Sequence, residues 1–265
     1  MSPSPSPAAK WNAADYAANS AVQLAWAREL IGSLHLRGDE HILDVGCGDG
    51  KITAELAQAV PRGSATGIDA SAPMIEFARA KFPGREFHVM DARAIHFHRT
   101  FDLIFSSAAL HWVDDHEAFL RGAADVLRPG GRLVVSCGGK GNGQAMAAAL
   151  HVVMRRKRWR DYFRGMPMPY FFYARTEYRV WRDRANFRAN RVELTPKDAR
   201  YDGRAGLAAW LRTAWRPYTQ RVPEAERAEF INAVAERYAA SHPPDTAGRV
   251  TVRMVRLEID AVKQP

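Results

Sequence analysis

The sequence has few cysteines and no long apolar run. Its 265 residues include two cysteines, Cys47 and Cys137. Two are too few for a disulfide framework and match no metal-ligand spacing. No stretch approaches the ~18 consecutive apolar residues of a membrane-spanning helix, and the first ten residues lack the apolar core of a signal peptide. We therefore expect a reduced, cytoplasmic protein with no metal site, no membrane contact and a disordered tail over residues 1–10.

Positive charge is concentrated in one part of the chain. The net charge is +9, yet residues 151–221 hold 18 Lys and Arg against 6 Asp and Glu, so the remainder is net negative. A basic region of this kind can bind nucleic acid or steer small anionic molecules, and it is also typical of an ordinary solvated surface. Composition alone leaves these three interpretations open.

The most informative stretch is residues 41–50, HILDVGCGDG. A short apolar strand runs into glycines at positions 46, 48 and 50, and a helical pattern begins at Lys51. Because glycine has no Cβ, the turn can be tight and a ligand can touch the main chain. The start of the helix directs free N–H groups and a partial positive charge at the same place. This order predicts an α/β protein that binds a small ligand at the turn.

Strands and helices alternate through the first half of the chain. The pattern predicts strands near residues 41–45, 64–68, 86–90, 101–105 and 133–135, and helices near residues 51–60, 71–79 and 115–127. Such alternation predicts a doubly wound α/β fold, with a parallel sheet covered by helices on both faces. The second half is less regular: we expect helices near residues 144–163, 176–184, 207–215 and 224–240, and strands near 191–194 and 250–259. Pro196 is expected to end the first of these two strands.

Three successive predicted strands end in carboxylates, at Asp44, Asp69 and Asp91. Ligands of doubly wound sheets bind at the carboxyl ends of the strands. There, Asp69 can accept both hydroxyls of a ribose, and Asp91 can accept a hydrogen bond from an adenine amino group. One aspartate at a strand end is ordinary turn chemistry, but three beside a glycine turn indicate a ligand site.

The glycine spacing argues against a dinucleotide. The pattern D-x-G-x-G-x-G departs from the dinucleotide fingerprint G-x-G-x-x-G. A carboxylate at Asp44 would repel a pyrophosphate, whereas it suits the ammonium of an amino acid. A ligand with adenine, ribose and an amino acid but no phosphate fits these features, and S-adenosylmethionine is such a ligand.

Five segments carry a family resemblance: LDVGCGDG (43–50), GIDASAPMIEFA (67–78), VMDA (89–92), FDLIFSSAALHWVDD (101–115) and LRPGGRLVV (127–135). With them the chain resembles the class I S-adenosylmethionine-dependent methyltransferases, and among these the trans-aconitate and juvenile hormone acid methyltransferase group. The resemblance implies a Rossmann-like, seven-stranded, mostly parallel sheet whose last strand is antiparallel. It also implies one methyltransferase domain over residues 11–265, with a helical lid at 11–35 and cap-like insertions at about 139–187 and 197–247.

The resemblance also implies which residues bind the cofactor. The turn would hold the methionine end, Asp69 the ribose and Asp91 the adenine, with Ser106 near the sulfonium. The full set of implied cofactor residues is Asp44, Gly46, Cys47, Gly48, Asp69, Ala70, Met74, Asp91, Ala92 and Ser106.

Five further residues are candidates for substrate binding. By resemblance, Tyr16 and Gln23 fall in the helical lid, and Gln23 and Trp112 match positions that approach a substrate carboxyl group. Trp210 and Arg212 are candidates from the aromatic and basic second half, because an arginine can pair a carboxylate with two hydrogen bonds.

The sequence shows no dedicated catalytic constellation. A carboxylate acceptor is ionised at pH 7 and needs no general base. An alcohol or phenol would profit from one, and His111 or His116 could serve. Each histidine can equally be structural, and Trp112 can equally belong to the core. His111 and Trp112 are therefore kept as candidates only.

We expect an S-adenosylmethionine-dependent enzyme that O-methylates a small, anionic carboxylic acid. Three alternatives stay open. The first is an RNA- or other nucleic-acid-directed methyltransferase that uses residues 151–221 as its electrostatic contact. The second is an enzyme that methylates a phenol or amine metabolite. The third is a regulator that binds the cofactor without turnover. The sequence gives no indication of the oligomeric state.

Overall fold

The computed structural model describes residues 21–265. Tyr16, the predicted tail and the first part of the predicted lid lie outside this range. Within it the chain forms two compact units. The first consists of residues 21–140, 170–195 and 256–265, and the second of residues 141–169 and 196–255.

The sheet contains seven strands, in the order β3-β2-β1-β4-β5-β7-β6. The strands are β1 (His41–Val45), β2 (Ser64–Asp69), β3 (Glu86–Val89), β4 (Phe101–Ser107), β5 (Leu127–Gly138), β6 (Phe187–Asp202) and β7 (Arg249–Lys263). Neighbours among β1 to β5 are parallel, whereas β7 is antiparallel to β5. This confirms the predicted mostly parallel sheet with an antiparallel last strand.

Helices fill the connections between the strands. They are α1 (Ala21–Gly32), α2 (Lys51–Ala59), α3 (Ala72–Lys81), α4 (His116–Val126), α5 (Gln144–Met154), α6 (Arg175–Arg184), α7 (Gly203–Ala214), α8 (Arg216–Thr219) and α9 (Glu224–Ala239). Asp115 caps α4 as predicted, because its carboxylate accepts the amide N–H of Ala118 at 2.8 Å. Ser71 precedes α3 as predicted, but its side chain makes no capping hydrogen bond.

The core lies on both faces of the sheet. Adjacent residues of β1 point to opposite sides, as the pleat requires. Ile42 belongs to the same buried cluster as Leu56 of α2, whereas Leu43 belongs to the cluster that contains Phe119 of α4. A central strand buried on both faces explains why residues 42–45 show no apolar–polar alternation in the sequence.

Two predicted boundaries in the second half are wrong. The helix expected over residues 144–163 ends at Met154, and residues 160–163 form a separate 3-10 turn. On a continued helix Arg155 and Arg158 would be neighbours of like charge, three positions apart, which disfavours the helix. Pro196 does not end a strand, because β6 continues to Asp202. β6 is the last strand in the sheet order, and an edge strand tolerates a residue without an N–H.

Two kinds of feature are absent from the described residues, 21–265. No helix there is both long enough and apolar enough to cross a membrane. No group of three or more His, Cys, Asp and Glu side chains there is arranged to hold a metal ion.

Gly67 of β2 is expected to tolerate no side chain. A Cβ at this position would lie 2.7 Å from the Phe87 ring and 2.9 Å from the Cys47 sulfur. We predict that Gly67→Ala lowers the free energy of unfolding by ~1–3 kcal/mol, because both neighbours must move. Gly32→Ala is the control, since nothing lies within 4 Å of its Cβ position. Urea denaturation measures both, and equal midpoints for the two variants would contradict the prediction.

Candidate active site

The glycine turn has the tight geometry that the sequence predicts. Gly46, Gly48 and Gly50 have φ angles of 76°, 54° and 78°, a left-handed backbone that other residues rarely adopt. At Gly46 space is also lacking, because a Cβ there would lie 2.1 Å from the Cβ of Ala109. The turn therefore needs glycine, and it leaves the main chain open to a ligand.

A small cavity lies against this turn, at the carboxyl ends of β1 and β4. It brings together four of the predicted cofactor residues and one predicted substrate residue, Gln23. The lining residues are Gln23, Leu24, Ala27, Asp44, Gly46, Cys47, Gly48, Asp49, Lys51, Ile52, Ser107 and Ala108. Two features of the cavity were not predicted: the contribution of Leu24 and Ala27 from α1, and the ion pair between Lys51 and Asp49 at 3.0 Å.

Asp44 is a buried carboxylate in this cavity. The residue is only 2% exposed, and one carboxylate oxygen accepts a hydrogen bond from the hydroxyl of Thr53 of α2 at 2.7 Å. Burial raises the pKa of Asp44 to about 7; the Thr53 hydrogen bond opposes this rise, and the charges of Asp69 and Asp49 add to it. Near neutral pH the side chain is thus only partly ionised, and a bound cation would complete its ionisation.

Asp69 ties the turn to the end of β2. One carboxylate oxygen accepts the N–H of Gly48 at 3.0 Å, and the other accepts the N–H of Ser71 at 2.8 Å. Burial raises the pKa of Asp69, and the two hydrogen bonds oppose the rise. Of the two residues predicted beside it, Ala70 is exposed and Met74 is buried in α3.

Asp91 lies after β3 and is held by an arginine that the sequence analysis missed. Its carboxylate accepts the Arg93 backbone N–H at 2.8 Å and two guanidinium N–H groups of the same residue. Arg93 also pairs with Asp114 at 2.9 Å. Hydrogen bonding from Arg93 lowers the pKa of Asp91. The sequence did contain a signal for this pair, because Arg93 follows the strand-ending Asp91 by two residues. Ala92, between them, is partly buried.

Ser106 supports the cavity from behind. Its side chain is fully buried, and its hydroxyl donates to the carbonyl of Val45 at 2.8 Å. The two residues that follow, Ser107 and Ala108, line the cavity instead. Ala108 has a φ of 57°, which is unusual for a residue with a Cβ. Such strained residues are common at functional sites, where surrounding contacts hold them in place.

Gln23 offers the cavity an unsatisfied acceptor. Its side-chain Oε1 is buried and has no hydrogen-bond partner among the described residues. An unsatisfied buried carbonyl costs about 1–3 kcal/mol, so a ligand donor at this position would recover that cost. The orphaned oxygen, the buried Asp44 and the glycine turn together fit a ligand with an amino acid end, such as S-adenosylmethionine.

Both candidate histidines are held in neutral forms. His116 is buried; its Nε2–H donates to the Leu110 carbonyl at 2.7 Å, and its Nδ1 accepts the hydroxyl of Tyr178. Burial lowers its pKa to about 4. His111 accepts the Gly138 N–H at Nδ1, at 3.4 Å, and burial together with the charge of Arg256 lowers its pKa to about 3. With Nδ1 engaged in each ring, Nε2 carries the hydrogen and no free lone pair remains to act as a base.

Trp112 lies in an aromatic cluster rather than in the cavity lining. Its ring centroid is 4.7 Å from that of Tyr170, which stacks on Phe172 at 5.6 Å. His111 contacts the same cluster, with its ring 5.6 Å from that of Trp112. Such a cluster of rings suits contact with the apolar part of a small molecule. Trp112 is only half-buried, so part of its ring stays exposed.

The two remaining predicted substrate residues belong to the second unit. Trp210 of α7 is buried and stacks on Tyr201 at 5.0 Å, whereas Arg212 is exposed. In the same unit, part of the basic region is paired with acids: Arg158 with Glu226 and Glu229, and Arg164 with Asp161. Substrate roles for Trp210, Arg212 and the undescribed Tyr16 remain predictions.

Comparison with known proteins gives consistent matches. A family model described as "Methyltransferase domain" matches residues 42–131. The trans-aconitate 2-methyltransferase of Rhodopseudomonas palustris (strain BisA53) is 27% identical, over 96% of this chain and 100% of the relative. An uncharacterized methyltransferase of Schizosaccharomyces pombe is 30% identical, over 81% of this chain and 84% of the relative.

Solved structures agree on the fold. The YcgJ protein of Bacillus subtilis has a TM-score of 0.61 at 16% identity, covering 91% of this chain and 99% of that chain. The magnesium protoporphyrin IX methyltransferase of Synechocystis, solved with bound S-adenosylhomocysteine, has a TM-score of 0.53 at 14% identity, covering 95% and 86%.

Strand order, glycine turn and full-length relatives therefore lead to one assignment. The chain belongs to the class I S-adenosylmethionine-dependent methyltransferases, and S-adenosylmethionine is its cofactor.

Proposed function

We propose that this enzyme transfers the methyl group of S-adenosylmethionine to a carboxylate oxygen of a small organic acid. One observation carries the proposal: in His111 and His116, the candidate bases after β4, the ring nitrogen with the lone pair already accepts a hydrogen bond. An acceptor that is ionised at pH 7 needs no base, and a carboxylate meets that condition. The similarity to trans-aconitate 2-methyltransferases over 96% of the chain supports the same acceptor class.

The cofactor is assigned to the turn and to the three strand ends beside it. Asp44 receives the ammonium, since a cation there relieves the cost of a buried carboxylate. Asp69 receives the ribose, because each of its oxygens accepts one backbone N–H and keeps a second lone pair. Asp91 and Ala92 receive the adenine edge, with Asp91 oriented by Arg93.

The protein aligns the reactants and excludes water, and it does not transfer a proton. When bound, the cofactor supplies a methyl group on a sulfonium, whose bonding electrons stay with sulfur as the acceptor oxygen takes the methyl. Ser107 and Ala108 place the end of β4 against the cavity. Trp112 is assigned to the acceptor side, where it would help to align the acid and exclude water. The Oε1 of Gln23 can accept a hydrogen bond only from a donor, such as the ammonium of the cofactor. No residue has to donate or accept a proton.

Asp44 is the first residue to test. We predict that Asp44→Asn weakens S-adenosylhomocysteine binding ~30-fold or more, the usual cost of removing one member of a buried charge pair.

The same change, Asp44→Asn, should stabilise the protein at pH 8. Burial raises the pKa of Asp44 from 3.8 to about 7, so the native state binds this proton more tightly than the unfolded state does. The wild type therefore loses stability as pH rises from about 4 to about 7, by up to ~4 kcal/mol, and an uncharged Asn avoids that loss.

Calorimetry and urea midpoints at pH 5 and pH 8 measure both effects. Asp39→Asn, an exposed carboxylate, is the control for a lost charge. Unchanged affinity in Asp44→Asn would refute the ammonium assignment, and a stability gain equal at both pH values would refute the titration.

Cofactor binding should also release a proton. Because a bound ammonium favours ionised Asp44, binding at pH 6, below its pKa of about 7, is predicted to release close to one proton. The affinity should then fall about tenfold per pH unit as pH decreases from about 7. Calorimetry in buffers of different ionisation enthalpy counts the protons, and the same release from Asp44→Asn would show that another group titrates.

The acceptor class can be tested with labelled cofactor. Protein is incubated with methyl-labelled S-adenosylmethionine and separate pools of carboxylic acids, phenols, amines and RNA. We predict a product from the acid pool that releases its label in base, as an ester does.

We also predict that His111→Gln changes kcat less than ~5-fold, since loss of a true general base costs ~10²–10⁴-fold. A base-stable product, or label in RNA, would overturn the proposed acceptor.

A further inference from the structure

An arginine joins the end of β3 to the loop between β4 and α4. Arg93 lies in a 3-10 turn, Ala92–Ala94, that directly follows Asp91, the acid assigned to the adenine. Its Nε and Nη2 both donate to the Asp91 carboxylate, Nη2 at 2.7 Å. Its Nη1 donates to the carboxylate of Asp114 at 2.9 Å. One guanidinium therefore holds two carboxylates that lie on different connections of the sheet.

The β4–α4 loop, residues 108–114, is also held from another side. The carbonyl of His111 accepts the N–H of Phe171 at 2.9 Å, and the carbonyl of Asp114 accepts the hydroxyl of Tyr173. These bonds join the loop to the aromatic segment at residues 170–173. The arginine instead joins it to the end of β3, so a change at the adenine-assigned acid can reach the loop by this route.

The loop contains two amides that report its order. Its start, Ala108, lines the cavity, and a 3-10 turn, Leu110–Trp112, follows. The N–H of Trp112 donates to the carbonyl of Ala109 at 3.0 Å, and the N–H of Val113 donates to that of Leu110 at 2.9 Å. Both bonds break when the loop opens, so the exchange of these amide hydrogens with solvent measures how often it opens.

The link through the arginine has a modest strength, because all three side chains are partly exposed. Those of Asp91, Arg93 and Asp114 are 39%, 35% and 36% exposed. An exposed ion pair is worth little when both partners must first be ordered. A planar guanidinium that one carboxylate already holds with two hydrogen bonds loses less freedom on binding a second. Such a link can transmit a coupling of ~2–5-fold.

We propose that Arg93 is a positioning residue that couples cofactor binding to the order of the β4–α4 loop. An adenine amino group that donates to Asp91 fixes this carboxylate and the guanidinium on it, which lowers the entropy cost of holding Asp114. The loop carries Trp112, so a cofactor that binds first orders the acceptor side. This inference rests on the proposed adenine assignment of Asp91 and adds a regulatory consequence to it.

The test compares the full-length wild type with Asp114→Asn, which loses the loop end of the link and keeps the pair between Asp91 and Arg93. Amide hydrogen exchange is measured with and without saturating S-adenosylhomocysteine, which carries the same adenine. We expect the ligand to slow exchange at Trp112 and Val113 ~2–5-fold in the wild type and less than ~1.5-fold in Asp114→Asn. A direct contact in the cavity does not give this result, because the variant keeps the cavity-lining residues.

Glu117→Gln is the matched control. Glu117 lies in the first turn of α4, and its carboxylate pairs with Arg184 at 3.2 Å and with Arg121 at 3.7 Å. The substitution therefore removes an acid from arginine pairs close to the loop, as Asp114→Asn does, but these arginines belong to α6 and α4. We expect Glu117→Gln to keep the wild-type response to S-adenosylhomocysteine. An effect of lost charge alone would appear in both variants.

Two further variants separate the remaining outcomes. Asp91→Ala should weaken S-adenosylhomocysteine binding ~5-fold or more by calorimetry, the cost of a lost hydrogen bond to a charged group. Unchanged affinity there would refute the adenine assignment and the coupling with it. If Asp114→Asn does not fold, Arg93→Lys must still lose the protection, because an ammonium cannot hold two carboxylates as the guanidinium fork does.

The coupling alone would be overturned by three results. These are no protection in the wild type, full protection in Asp114→Asn or Arg93→Lys, and an equal loss of protection in Glu117→Gln. Each of them would leave the adenine assignment in place when Asp91→Ala weakens the affinity. None depends on the methyl acceptor, so carboxylate methylation stands or fails separately, in the assay with labelled cofactor.

Discussion

The site depends on one costly feature, a carboxylate buried at the end of the central strand β1. Asp44 is 2% exposed, and Thr53 is the residue that donates a hydrogen bond to it. A buried carboxylate without a cation is unfavourable, and its raised pKa expresses that cost. A sequence selected for stability alone would place an apolar residue here, as in the neighbouring Leu43 and Val45. The proposed function accounts for this cost, because the ammonium of bound S-adenosylmethionine would supply an opposite charge.

The surrounding strand ends hold that carboxylate in place. The turn after Asp44 is closed by Gly46 and Cys47, whose N–H groups donate to the carbonyl of Ile68 at 2.8 and 3.0 Å. Asp69 then bonds Gly48, and Ser106 bonds Val45 from the next strand. Three parallel strands are thereby joined at their carboxyl ends. Because these bonds involve backbone groups, the ligand-facing geometry follows from the fold and not from flexible side chains.

The sequence predicts those features that are encoded locally. The alternation of elements, the glycine turn and the acids at 44, 69 and 91 each appear within a short window. The structure contains the tight turn at the predicted residues and, in the first half of the chain, the predicted order of strands and helices. The strain at Ala108 and the partners of Arg256 could not be read this way. Arg256 and Ser136 are 120 positions apart, and the φ of 57° at Ala108 depends on neighbours rather than on an alanine. The continuation of β6 past Pro196 was missed because it depends on the place of this strand at the edge of the sheet rather than on propensity.

The charge arrangement explains why such an enzyme can lack an acid–base pair. In the proposed reaction, the opposite charges of a sulfonium and a carboxylate disappear as the methyl group moves, so the transition state is less charged than the reactants. Groups that stabilised the reactants' charges too strongly would slow the reaction. In the first unit two acids, Asp44 and Asp49, line the part of the cavity that is proposed to hold the amino acid of the cofactor. Binding energy is used to align the two reactants, and alignment supplies the rate.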